Sequence, residues 1–459
     1  MKRRSFLAAA SAMTGSLLLP GKARAERPTR PNIIFCFSDE HRYQSMSFTE
    51  MPELQTPHMA RMASEGFQFT NCISNYPVCT PYRGILMSGR WPYRNGIIDN
   101  NIPLSQDTYT IGHRFSEAGY STAYIGRWHL TGTRAEPFGF QHSLIWERDN
   151  THWDTAIYHP AEGEPVQPLG YNATLMTDQA LEYIARDHED PYFLILSLNP
   201  PHSKFTDAPE EKKALYPKDS LPYRPNVDLT SANSTNITAQ NGYPFYEGYH
   251  AHISAVDDEV GRLMRAIEES GNTRDTILIY SSDHGSMHGS HGVGSKRQPY
   301  EESIRVPILV WSPTAVPAGR ASDALFGAID IFPSLCGLAG LDAPSACEGR
   351  DFSSWVFEDT GPDPDHQFIM HIAKGNASGG ENHPAPIFRG IRTKRHTFAH
   401  GPDNYRRLFD NDADPYQMNN LADSADHQDL MREFADITQR YCEAAGDPYE
   451  LTDLEEPTA

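Results

Sequence analysis

The residues most able to do chemistry in this 459-residue chain fall in a few short clusters. Asp39 and Glu40 follow the apolar run Asn32 to Phe37, and Asp283-His284 follow a second run, Thr276 to Tyr280. Asn199-Pro200-Pro201-His202 closes a third, Tyr192 to Leu198. Carboxylates at strand ends are hard oxygen donors suited to a divalent cation. Taken singly, each is as ordinary as any solvated acid at the end of a strand. Cys79 stands in Pro77-Val78-Cys79-Thr80-Pro81-Tyr82-Arg83, and a thiol ahead of a helix is most often a packed core residue. The formal net charge of −21 means that an anionic substrate would need a locally positive pocket, assembled from particular residues.

Those clusters need a frame. Further apolar runs at Thr122 to Ile125 and Val306 to Trp311 join the three above as candidate buried strands. Between them lie helical patterns, the clearest being Ile253, Val256, Val260, Leu263, Met264 and Ile267. Strands alternating with helices predict an α/β fold, a mostly parallel sheet sandwiched by helices, whose chemistry sits beyond the carboxyl ends of the strands. The Pro-, Asn-, Ser- and Thr-rich stretch Ser203 to Gly248 reads as a long surface excursion. From about Pro364 the pattern changes to strand-like pieces such as Phe388 to Ala399, then a final helix near Gln428 to Ala445. The expected division is a leader at 1–25, a catalytic domain at 26–363 and a smaller C-terminal antiparallel subdomain at 364–459. No internal repeat is apparent.

The leader begins Met1-Lys2-Arg3-Arg4-Ser5-Phe6-Leu7, runs apolar to Pro20 and closes Ala23-Arg24-Ala25. This is the layout of an export signal of twin-arginine type, and the apolar run is shorter than the ~20 residues a membrane span needs. A periplasmic or secreted protein without stable membrane insertion is expected. Removing the leader takes away Lys2, Arg3, Arg4, Lys22 and Arg24 and leaves a still more acidic body. That excludes nucleic acid as a natural partner. Hydrophobic residues at 39% and charged residues at 22% favour a compact enzyme over a disordered chain. The six cysteines (Cys36, Cys72, Cys79, Cys336, Cys347 and Cys442) have spacing that suits neither a zinc site nor a disulfide scaffold, with a Cys336–Cys347 bridge left open.

Taken together, the motifs resemble those of a known family. The Cys79-x-Pro81-x-Arg83 core, continuing to Met87-Ser88-Gly89-Arg90, resembles the signature of type I, formylglycine-dependent sulfatases in the alkaline phosphatase-like superfamily. Gly119-Tyr120-Ser121-Thr122, followed by Gly126-Arg127-Trp128-His129, is similar to that family's second signature, with Arg127 where lysine is usual. Ser282-Asp283-His284-Gly285 and the tail His291-Gly292-Val293-Gly294-Ser295-Lys296 resemble a third. The Asn199 to His202 turn and the close from Leu408-Phe409-Asp410 through Asp414-Pro415 to Asn420-Leu421 match as well. The resemblance spans about Pro31 to Asp423 in the expected order.

The resemblance implies that a maturation enzyme oxidises Cys79 to Cα-formylglycine, whose hydrate attacks a sulfate ester with one hydroxyl and keeps the other for release. It implies a metal held by Asp39, Glu40, Cys79, Asp283 and His284. Calcium is favoured, with manganese the alternative because His284 is a nitrogen donor. Glu40 stands where a second aspartate is common. Arg83 would hold the hydrate, and Arg127 and Lys296 would bind sulfate oxygens. His129 would take the proton that lets the sulfated intermediate collapse, and His202, with Lys296, would assist the departing alcohol. His288 and His291 are candidates for supporting these groups. Trp146, His152, Trp153 and Lys204 are candidates for the leaving-group pocket, with core packing the plainer account of each. The expected substrate is a sulfated small molecule or glycan. The rival readings are a phosphonate monoesterase or phosphodiesterase of the same superfamily, and a non-catalytic sulfated-glycan-binding protein.

Overall fold

The first strand, β1 (Asn32–Asp39), reads NIIFCFSD and is buried along its whole length. Its residues alternate between two cores. Ile33, Phe35 and Phe37 join one apolar cluster and Ile34 and Cys36 the other. A strand covered on both faces must have this unbroken apolar sequence, because neither pleat faces water. A computed structural model describes residues 27–146, 150–154, 157–228, 245–270, 275–373 and 385–451, so the leader lies outside the described residues.

Nine further strands complete the large sheet: β2 (Phe67–Ile73), β3 (Ser121–Arg127), β4 (His142–Trp146), β5 (His159–Pro160), β6 (Tyr192–Pro201), β7 (Thr276–Ser282), β8 (Arg305–Val306), β9 (Ile308–Trp311) and β10 (Arg320–Gly327). Their order is β10-β2-β9-β7-β1-β6-β3-β4-β5, with β8 against β2. The centre is parallel: β1 pairs with β6 and β7, and β3 pairs with β6 and β4. The expected mostly parallel, helix-covered sheet is therefore present. One predicted strand differs. The run from Val306 to Trp311 is cut at Pro307, which has no N–H to give a ladder, and its second half runs antiparallel to β2 and β7.

Helices cover both faces. Helix Phe245–Glu269 sends Val256, Val260, Leu263, Met264 and Ile267 into one core, as its spacing predicts. Helix Cys79–Ser88 packs Tyr82, Ile85, Leu86 and Met87 into the other. The stretch expected to be a surface excursion is less irregular than its composition suggests. It holds the short helix Glu210–Lys213, and Tyr246, Glu247 and Gly248 are buried in the first turn of helix Phe245–Glu269. Residues 229–244 of that expected excursion lie outside the described residues.

A second sheet, β11 (His366–His371), β12 (Phe388–Thr393), β13 (His396–Gly401) and β14 (Tyr405–Asp410), is antiparallel and pairs in chain order. Helix Gln428–Ala445 covers one face, Met431, Phe434 and Ala435 meeting Ile391, Phe398 and Leu408. The other face sets Ile369, Phe388 and Ala399 against Ile73, Ile304 and Leu325 of the main body. All six cysteines are unbridged, Cys336 and Cys347 included. Among the described residues no helix is long and apolar enough to cross a membrane.

Candidate active site

The parallel centre of the sheet aims β1, β3, β6 and β7 at one end, and the chemistry-bearing residues leave the strands there. β1 ends at Asp39, and the chain turns sharply at Glu40, whose φ of 78° is costly for a residue with a side chain. That turn lets the Glu40 N–H donate to Asp283 Oδ1 at 3.0 Å, tying the end of β1 to the residue after β7. The His284 N–H donates to the same oxygen at 2.9 Å.

Cys79 is the first residue of its helix, and Arg83 lies one turn on, so both side chains share a face. Pro81 sits within the first turn, where a missing N–H leaves no helical bond unmade. Cys79 Sγ lies 3.2 Å from His284 Nε2, 3.3 Å from Lys296 Nζ and 3.5 Å from Asp39 Oδ1. Arg83 is held rigidly. Its Nη1 donates to the Arg127 carbonyl at 2.6 Å and to Ser197 Oγ at 2.8 Å, its Nη2 to Asp39 Oδ2 at 3.2 Å, and its guanidinium lies over the Phe37 ring.

Arg127 ends β3. A Cβ at Gly126, with φ of 112°, would lie 2.0 Å from the Ser197 carbonyl oxygen, so glycine is required where β3 presses on β6. That closeness sets Arg127 Nη1 2.6 Å from Asp39 Oδ2 and 2.9 Å from Asn199 Oδ1, while its Nη2 donates to Asn150 Oδ1 at 3.0 Å. Lys296 Nζ reaches Glu40 Oε2 at 3.0 Å, and His202 Nε2 lies 3.5 Å from the same oxygen. His129 Nδ1 is buried without a hydrogen-bond partner, and the ring touches Cys79. The structure thus brings all ten predicted site residues together.

Burial works to raise the Asp39 carboxyl, but the cations around it, Arg127 foremost, hold it below the usual carboxylate range. Asp283 goes the other way, raised to about 7 by burial and by facing Asp39. Burial also opposes ionisation of Cys79, yet Lys296 and His284 pull its thiol well below the ordinary range. Burial disfavours charge on His284, but Asp283 offsets this and lifts it to about 9. Burial, with Arg127 beside it, pushes His129 down to about 4. A group placed to ionise against so much desolvation marks a functional site.

Asp39, Cys79, Asp283 and His284 each offer a ligand atom within 4.8 Å of the others. Asp283 Oδ2 is buried and accepts no hydrogen bond. His284 Nδ1 lies 2.9 Å from the Gly285 carbonyl, so it carries a proton and Nε2 faces the pocket. This donor set fits a hard divalent ion. Glu40 is turned towards Lys296 and His202.

Several supporting residues carry no motif of their own. Ser197 and Tyr124 accept from Arg83, Asn150 accepts from Arg127, and Tyr249 donates to the Glu40 carbonyl at 2.8 Å. Of the residues expected nearby, His288 packs 4.0 Å from the Tyr249 ring, and His291 stacks on Tyr300 and meets Asn226. Trp146 is a core residue against Tyr158. Trp153 is 40% exposed, with its Nε1 held by the Asp207 carbonyl.

The chain matches known protein families. Residues 31–341 match the sulfatase family model, and 289–443 match the C-terminal model of N-sulphoglucosamine sulphohydrolase. The chain belongs to the sulfatase family. It is a sulfuric ester hydrolase of alkaline phosphatase-like fold. The sulfatase is 31% identical to an ulvan-active sulfatase of Formosa agariphila, over 93% of this chain and 84% of that protein. It is 30% identical to an endo-4-O-sulfatase of Bacteroides thetaiotaomicron, over 87% and 89%. It also superposes, with a TM-score of 0.81 and 28% identity over 91% of this chain and 97% of the other, on a solved structure titled for glycosaminoglycan metabolism by Bacteroides thetaiotaomicron.

Proposed function

We propose that this sulfatase removes sulfate from a sulfated carbohydrate, with Cys79 oxidised to formylglycine and a divalent cation, calcium by preference, held by Asp39, Asp283, His284 and residue 79. Glu40 completes the proposed ligand set. The carrying observation is the meeting of Cys79 Sγ with two carboxylates and one imidazole nitrogen within 4.8 Å, ringed by Arg83, Arg127 and Lys296. The named activities of the two relatives, on ulvan and as an endo-4-O-sulfatase, support a glycan as the leaving group.

Bound there, the cation and the hydrated aldehyde supply charge neutralisation and a nucleophilic hydroxyl. The chain's own residues do the rest. Arg127 and Lys296 present fixed positive charge to the sulfate oxygens, and the pocket holds them without reorganisation. Arg83 fixes Asp39 and the β3 end that carries Arg127. His129 touches residue 79 and, being neutral well below pH 7, is able to accept a proton there. His202 Nδ1 donates to the Ser203 carbonyl at 3.0 Å, so it is as the imidazolium, its second proton on Nε2 beside Glu40, that the ring would hand a proton to the departing oxygen and become neutral. The leader supports export to the periplasm or beyond.

A panel of sulfated mono- and oligosaccharides, assayed for free sulfate, tests the reading. Release from at least one saccharide, lost in Cys79→Ala, is expected. Much faster turnover of 4-nitrophenyl phosphonate esters than of 4-nitrophenyl sulfate would replace it with the phosphonate monoesterase reading. A retained thiol at Cys79 in protein from the native host would replace it with glycan binding alone.

A further inference from the structure

Behind the His202 turn lie two imidazoles that the roles above leave unused. His152 and His252 are buried, with ring centroids 4.3 Å apart. His152 Nε2 lies 2.8 Å from the His202 carbonyl oxygen, and His252 Nε2 lies 3.1 Å from that of Lys204. With Asp207, they are spaced as a metal site would be. The protons decide otherwise. Arg127 Nη1 donates to Asn199 Oδ1 at 2.9 Å, which turns the Asn199 Nδ2 towards His152 Nδ1 at 3.3 Å. A ring nitrogen that accepts there has no proton, so the neutral ring carries its proton on Nε2, where a metal would need a lone pair. Burial keeps that ring neutral, pushing His152 down to about 3. The Tyr171 hydroxyl, 2.7 Å from His252 Nδ1, buttresses the second ring.

We propose that His152 is a positioning residue for His202: through Nε2–H it fixes the backbone carbonyl of the leaving-group acid, in a tautomer that Arg127 imposes through Asn199. The proposal rests on the sulfatase reading. Its consequence is that the cation facing sulfate and the imidazole facing the alcohol are parts of one hydrogen-bonded frame. Arg127 Nη1 also binds Asp39 Oδ2 at 2.6 Å, so the frame extends to the candidate metal site. Displacing an acid by about 1 Å costs on the order of a hundredfold in rate.

The test uses a series of aryl sulfates, from 4-nitrophenyl through 4-chlorophenyl and phenyl to 4-methoxyphenyl sulfate. A nitrophenolate leaves without a proton, whereas the more basic phenolates need one. In His152→Phe, kcat for phenyl sulfate should fall about a hundredfold, with KM little changed, while 4-nitrophenyl sulfate loses less than about threefold. His152→Gln, whose amide can donate to the same carbonyl, should restore the shallow dependence on phenol acidity. Asn199→Asp, which reverses the hydrogen bond to Nδ1, should steepen the dependence on phenol acidity in the same way, measured relative to its own 4-nitrophenyl rate because Arg127 also contacts this residue, and serves if that variant does not fold. A uniform loss across the series, or a glutamine variant as steep as phenylalanine, overturns the proposal. Wild-type protein inert towards every aryl and sugar sulfate would instead overturn the sulfatase reading.

Discussion

The two sheets carry charge in opposite ways. At the carboxyl ends of β1, β3 and β7, Asp39, Arg83, Arg127 and Asp283 have side-chain exposures of 0–3% and face one another. On the C-terminal sheet the turn after β12 carries Arg395, 60% exposed, paired with Asp410, and Lys394 paired with Asp323 and Asp363 at the surface. Buried charges lose hydration that mutual attraction only partly returns, and exposed pairs gain little because water screens them. The first arrangement therefore makes sense as preparation for charged ligands, and the second as ordinary surface.

The sharpest way to break that contrast is at Cys79. Cys79→Ala should abolish sulfate release while leaving circular dichroism and melting temperature near wild type, and Cys79→Ser should be as inactive if only cysteine is matured. Loss of soluble protein would make Cys79 a structural residue instead. Asp39→Asn should lower turnover by about 10²- to 10³-fold. Chelation should suppress wild-type activity, and calcium or manganese should restore it. Arg83→Met takes one of two buried guanidiniums from Asp39 and the one nearest Asp283, and should destabilise the fold by about 3–5 kcal/mol in urea titration.

A smaller effect comes from acid. Burial pushes His371, on β11, from 6.5 to about 4, and Arg297 Nη1 donates to its Nε2 at 2.9 Å. The unfolded chain takes up that proton first, so the stability is intact above pH 6.5 and is lost as pH falls from 6.5 towards 4. His371→Gln should flatten the decline in melting temperature over that window, and an unchanged slope would show that other groups set it. At the bottom of the scale, Arg395→Ala should leave both turnover and melting temperature close to wild type.

Much of the site could be read from the sequence because a parallel sheet presents its chemistry where strands stop, and Asp39, His202 and Asp283 each follow an apolar run. Arg83 was legible from its spacing to Cys79. Other parts were hidden for physical reasons. β9 is four residues behind a proline and runs against its neighbours, so no periodicity marks its direction. Tyr249, His250 and His252 are buried polar groups on a helix whose apolar stripe lies further along, and hydropathy assigns such residues to solvent. Asn150 meets Arg127 across 23 residues, and no motif in the sequence points to it.

The side chain at position 79 is 1% exposed. A catalyst that must grip this thiol and its neighbours has no route to it once the helix is seated on the sheet. If the proposed oxidation occurs, it belongs to the newborn chain, and assembly becomes a timetable: alteration first, closure after. A molecule that closes too early would be well folded and permanently inert.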